Sequence, residues 1–110
     1  MTAPWKVRQT PDARRDGAKI VRWTIKHFGT RQAQTYAETI ALAMAALRDG
    51  PGIPGVKQRD DLGPGIHTLH VARNRRKGRH FIVFRIGGER IIDVLRLLHD
   101  SMDLPSHLPS

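Results

Sequence analysis

Residues 79–98 read RHFIVFRIGGERIIDVLRLL. Two runs rich in β-branched and aromatic side chains, 79–86 and 90–98, flank Gly87-Gly88-Glu89. That composition predicts a β-hairpin closed by a tight GGE turn. The first run is nearly continuously apolar, as a strand covered on both faces is. Val94 to Leu98 reads as core strand, and the chain then changes abruptly to His99, Asp100, Ser101, Met102 and Asp103, with His107 close behind.

Upstream, residues 66–73 (IHTLHVAR) form a third strand, joined to the first run by the basic turn NRRKG. The three strands make an antiparallel meander. Before them, residues 50–65 carry five glycines and three prolines and cannot be a regular element. So long a loop in a small domain is often functional, and this one carries Lys57 and Arg59.

The N-terminal half reads as a short strand, WKVRQ, and two helices. Thr10-Pro11-Asp12 supplies a cap, a first-turn proline and an acidic residue at the positive helix end. Val21, Ile25 and Phe28, with Ile20 and Trp23 beside them, predict the core-facing side of the first helix, which Gly29 ends. Thr30 is placed to cap the second. Ala33, Tyr36, Ala37, Ile40, Met44 and Leu47 recur at three- and four-residue intervals, and core packing is the reading this stripe favours. A link of about two residues makes the helices an antiparallel hairpin. The expected fold is therefore α+β: an N-terminal strand, a two-helix hairpin and a three-stranded meander, with the helices on one sheet face. Residues 1–110 read as a single domain with flexible ends at about 1–4 and 105–110.

Composition narrows the function. Nineteen Lys and Arg against ten Asp and Glu give a formal charge of +9, which calls for a polyanion or an acidic partner protein. The absence of cysteine excludes disulfides and thiolate metal sites and makes a cytoplasmic location the expectation. The N-terminus has no long apolar stretch, so neither a signal peptide nor a membrane partner is expected.

Four constellations were candidates for chemistry. His67 and His70 are three apart on a strand, hence on opposite faces, and no other histidines have ligand spacing, so no metal or cofactor is expected. Ser101 near His99 lacks a nucleophile elbow. The loop glycines lack the Lys-Ser or Lys-Thr of a phosphate cradle. Metal-free RNA cleavage needs a base, an acid and cations for the phosphorane. Arg73, Arg85 and Arg96, on three adjoining strands, with His99 ending the last, are a candidate set. The competing reading pairs the arginines with Asp93 and Asp100 and makes His99 a cap. A plain nucleic-acid-binding domain is a third possibility, weakened by few aromatics for stacking. The tail, with Met102, Leu104 and Leu108 among Asp100, Asp103 and His107, is either a partner-binding edge or a segment folded back over the sheet.

These residues together resemble a family. The order strand, helix hairpin, meander is the layout of the RelE/ParE toxins. Residues 36–47 resemble the family's second helix, DLGPGIHTLHV its loop-to-strand passage, and RHFIVFRIGGERIIDVLRLLHDSMD its final hairpin. The LLH-x-x-MD ending, residues 97–103, is most similar to the ParE branch, and the resemblance runs from about Trp5 to Leu108. It implies a cognate antitoxin, acidic in its toxin-binding half, in a toxin–antitoxin hetero-oligomer. A ParE-like member inhibits DNA gyrase and is a binding protein rather than a hydrolase. A RelE-like member cuts mRNA on the ribosome as a metal-independent endoribonuclease, here through Arg73, Arg85, Arg96 and His99. That branch often carries a C-terminal tyrosine or a His-Tyr pair. Here His99 is followed by Asp100, and the only tyrosine is Tyr36. Arg73, Arg85, Arg96, His99, Met102, Asp103 and Leu104 are the residues expected to meet the target or the antitoxin.

Overall fold

A computed structural model describes residues 3–107. The outermost parts of the expected flexible ends, and Leu108, lie outside the described residues. The chain runs through β1 (Lys6–Gln9), α1 (Pro11–Phe28), α2 (Thr30–Ala46), β2 (Lys57–Gln58), β3 (Ile66–His70), β4 (His80–Gly88) and β5 (Ile91–His99). The five strands form one mixed sheet in the order β1-β5-β4-β3-β2. The expected meander is β3-β4-β5. The N-terminal strand joins it in parallel beside β5, with Lys6 opposite Ile91 and Gln9 opposite Val94. The two-residue β2 inside the glycine-rich loop corrects the reading of that loop as wholly irregular.

The α1 N-terminus forms as its residues dictate. The Thr10 hydroxyl accepts from Ala13 N–H at 3.1 Å and donates to the Leu95 carbonyl at 2.9 Å, with Pro11 in the first turn. A single residue, Gly29, joins the helices, rather than two. Its N–H closes α1 on the Ile25 carbonyl and its own carbonyl accepts from Ala33, while φ of 89° turns the chain. Only glycine adopts that conformation without strain. Thr30 is therefore the first residue of α2 and not its cap.

The face that α1 buries also differs from expectation. Ala13, Gly17 and Ile20 lie against the sheet, and a Cβ placed on Gly17 would sit 3.7 Å from Leu97. Trp23, Ile25 and Phe28 face outward. The small residues let the helix lie close on β5. Asp16 then sets its rotation, accepting from Leu97 N–H at 3.0 Å and pairing in a fork with Arg96 at 2.7 and 3.0 Å. The α2 stripe holds, with Ala33, Ile40, Ala43 and Leu47 buried and Tyr36 and Met44 half-buried.

The sheet is covered on both faces. Ile82, Phe84, Ile92, Val94 and Leu97 meet the helices. Val83, Leu95, Leu98 and half-buried Phe81 meet Leu62 from the long loop and Leu104 from the tail. Both sides of β4 are thus apolar for a reason visible in its composition.

The hairpin is closed by Glu89-Arg90 rather than by GGE. Gly88 pairs with Ile91, and Arg90 takes a positive φ of 56°. Register shifts leave Gly87 and Leu95 without opposite partners, as bulges do. The two bulges lie on opposite strands and cancel, so the turn position sets His80 opposite His99. Leu104–His107 form a 3-10 turn.

Candidate partner-binding groove

A groove of about 780 Å³ opens between the second half of α1, the start of α2 and the adjoining ends of β4 and β5. Ile20, Trp23, Phe28 and Met102 supply apolar walls, and Lys19, Lys77 and Arg79 supply cations. Tyr36, His80, His99 and Ser101 line it as well, and no carboxylate among the described residues does. Trp23 is 56 % exposed, Phe28 64 % and Met102 44 %. Three such side chains around one groove form an apolar patch of the kind that marks an interaction surface.

Tyr36 reaches this place from α2 because Gly78 lets the backbone approach it. A Cβ on Gly78 would stand 2.5 Å from Val71 and 3.1 Å from the Tyr36 ring. The Tyr36 hydroxyl accepts the Arg79 N–H at 3.0 Å and, with its own proton, bonds His80 Nδ1 at 2.6 Å. Burial pushes the Tyr36 phenol above its ordinary value, so it remains a donor. His80 then carries its proton on Nε2. Its ring stands edge-on to His99, with centroids 5.1 Å apart. His99 Nδ1 accepts the Ser101 N–H at 3.1 Å and contacts its hydroxyl at 2.7 Å, which places the His99 proton on Nε2 as well.

Behind the pair, Asp100 accepts from Arg79 at 2.9–3.1 Å and from His70 Nε2 at 3.0 Å. The Arg79 hydrogen bond, followed by that of His70, lowers the Asp100 carboxyl to about 2. Burial, followed by the nearness of His99, lowers His80 to about 4.

Both shifts couple stability to pH. His80 has a folded-state value below the ordinary 6.5, so the unfolded chain binds that proton more tightly between about pH 6.5 and 4. Stability falls as pH drops through that window, by about 2 kcal/mol once partial exposure is discounted. Asp100 extends the loss from 3.8 towards 2. Urea unfolding at stepped pH measures both, and His80→Gln is expected to flatten the upper window while leaving the lower one.

The residues expected to meet a target are dispersed. Arg73 donates to the Pro54 carbonyl at 3.2 Å, at the rim of the long loop. Arg85 is exposed on β4, five positions from His80, hence about 17 Å along the strand from the His80–His99 pair. Arg96 is committed to Asp16, a partner the sequence reading did not name. Of the two expected acidic partners, Asp93 binds Arg8 at 2.8 Å and Asp100 binds Arg79. The four-residue arrangement of Arg73, Arg85, Arg96 and His99 is therefore not assembled.

The tail divides. Met102 lines the groove, Asp103 is exposed, and Leu104 is only 6 % exposed, turned back into the cluster under the sheet. Leu104 thus answers to the folded-back reading. His67 stacks on Phe84 and His70 stands edge-on to Phe81, residues of the two opposite cores, as their odd spacing requires.

Residues 7–104 match the family model described as ParE toxin of type II toxin–antitoxin system, parDE. The chain belongs to the ParE toxin family. Toxin ParE1 of Mycobacterium tuberculosis, from two strains, is 29% identical over 99 residues, covering 90% of this chain and 93% of that protein. Among solved structures, the chromosomal ParDE system from P. aeruginosa contains a chain matching with a TM-score of 0.71 at 20% identity, over 89% of this chain and 98% of that one. The toxin–antitoxin complex RelBE2 from Mycobacterium tuberculosis matches with a TM-score of 0.58 at 25% identity, over 90% and 94%. The expected layout of two helices on one face of the sheet is that of the ParE and RelE toxins. This ParE-family chain has no helix, among the described residues, long and apolar enough to cross a membrane.

Proposed function

We propose that this protein acts in the ParE manner, holding DNA gyrase on cleaved DNA, and that a cognate antitoxin acidic in its toxin-binding half neutralises it in the cytoplasm. The observation that carries the choice of branch is the family match extending through the LLHDSMD ending, where Asp100 follows His99. Two features of the fold support it. The only tyrosine is held inside the groove by His80 and Arg79, and Arg96 is bound to Asp16. Neither is presented as a nuclease would present a leaving-group acid or a phosphate clamp.

The groove suits the antitoxin. Both solved relatives come from toxin–antitoxin systems. An amphipathic segment would set apolar side chains against Trp23, Phe28 and Met102 and carboxylates beside Lys19 and Lys77. A net charge of +9 speeds the encounter with such a partner. Exposed Arg85, with Arg73 at the loop rim, remains for contact with gyrase or its DNA.

The test is gyrase-mediated cleavage and supercoiling with the purified, antitoxin-free protein. Accumulated cleaved DNA and lost supercoiling are expected at stoichiometric concentrations. Intact supercoiling together with mRNA cut in a translating extract would move the assignment to a RelE-like endoribonuclease.

A further inference from the structure

We infer that the wall of the groove formed by His80 and His99 is a carboxylate-binding subsite, taking an Asp or Glu side chain of the antitoxin segment between two imidazole N–H donors and the Lys77 ammonium. The inference rests on the antitoxin reading above and names the chemistry of one of its anchors.

The tautomers carry it. The Tyr36 oxygen accepts the Arg79 amide, and among the described residues its own proton has no acceptor but His80 Nδ1, so it is donated there. The Ser101 amide has only its hydrogen to offer His99 Nδ1. Both rings are thereby fixed with N–H on Nε2. His70 obeys the same logic, accepting the Ala72 amide on Nδ1 at 3.0 Å, but its Nε2–H is already used by Asp100. No hydrogen bond reaches the Nε2 of His80 or His99 among the described residues. Two neighbouring donors that lack an acceptor, in a groove without a lining carboxylate, are complementary to an incoming anion.

The remaining groups favour a carboxylate over a phosphate. From α1 the groove receives Lys19, from α2 Tyr36 and Gln32, and from the chain entering β4 Lys77 and Arg79. The Arg79 charge is offset by Asp100 directly behind it, leaving the two lysines as the unbalanced cations. The apolar walls of Ile20, Trp23, Phe28 and Met102 accept the apolar neighbours that flank an acidic residue on an amphipathic segment. By excluding water they also strengthen a charge-assisted hydrogen bond at the same place.

The experiment uses the 15N-labelled protein and two-bond imidazole correlation spectra at about pH 8, where an ordinary imidazole is neutral. The spectra are expected to show Nε2–H tautomers for His80 and His99. Sodium acetate, titrated against sodium chloride at matched ionic strength, is expected to move both Nε2 signals saturably and to leave His67 unmoved. Lys77→Met, at an exposed position that leaves the fold intact, is expected to weaken acetate by about threefold. His99→Phe is expected to abolish the response of His80. Nδ1–H tautomers, or acetate shifts no larger than those of chloride, overturn the proposal. A response to inorganic phosphate with acetate silent overturns it in favour of a phosphoryl ligand. Since none of these readouts needs the antitoxin, the two readings fail separately. Acetate binding without capture of a cognate antitoxin overturns only the named occupant. Capture that is indifferent to His99→Phe and Lys77→Met overturns the subsite.

Discussion

Asp16→Ala is expected to lower the unfolding free energy by about 3 kcal/mol, a fall of about 15 °C in Tm for a chain of this size. One carboxylate here serves three donors: both arms of the Arg96 guanidinium and the Leu97 amide. Its side chain is only 11 % exposed, so water cannot replace it freely. Removing it takes the acceptor from a backbone N–H and a cation at once, and each loss is costly where solvent is scarce. Asp16→Asn keeps an oxygen for Leu97 N–H and is expected to lose about half as much. Chemical unfolding of the single variants and of Asp16→Ala/Arg96→Ala closes a double-mutant cycle. A coupling of about 1–3 kcal/mol is expected for a pair in direct contact. Coupling near zero would mean that Asp16 acts on Leu97 alone.

The second large effect is on binding. Trp23→Ser with Phe28→Ser is expected to weaken the antitoxin complex by at least about 100-fold, because buried aromatic anchors each carry about 2 kcal/mol or more at interface centres. Both side chains are more than half exposed in the free protein, so its Tm is expected to stay within about 2 °C of the parent. Co-purification of the tagged protein with the antitoxin, followed by calorimetry on the separated partners, measures the loss. Leu42→Ser is the control, an exposed apolar residue that does not line the groove. A double variant that binds as tightly as the parent would place the antitoxin elsewhere on the surface.

Trp23 and Phe28 also show where periodicity stops being informative. The spacing of Val21, Ile25 and Phe28 marks an apolar helix side, and one does exist. It is not the side that packs on the sheet. Ala13 and Gly17 occupy that place, and such small residues carry little hydropathy signal. A helix close to a sheet needs small residues beneath it, and here the large ones are left exposed. The expected family and the order of elements survived this error, since they rest on composition runs, caps and turn residues that act locally.

The site was legible only in part for a different reason. The GGE turn with unbroken strands would set His80 opposite Arg96. The turn at Glu89-Arg90 moves the pairing by three and the bulges at Gly87 and Leu95, on opposite strands, cancel, which makes His99 its neighbour and leaves Arg96 to Asp16. Strand side chains alternate at period two, so each one-residue displacement reverses the face of everything beyond it. The sequence by itself determined the α+β order, the helix start at Thr10, the two-sided burial of β4 and the family, because each follows from neighbours within a few positions. Only the tertiary structure decided which apolar residues stay exposed around the groove, which arginines are already paired, and that Tyr36, His80 and His99 meet. Those facts depend on register and helix rotation, quantities set by contacts between residues 20 to 80 positions apart in the chain.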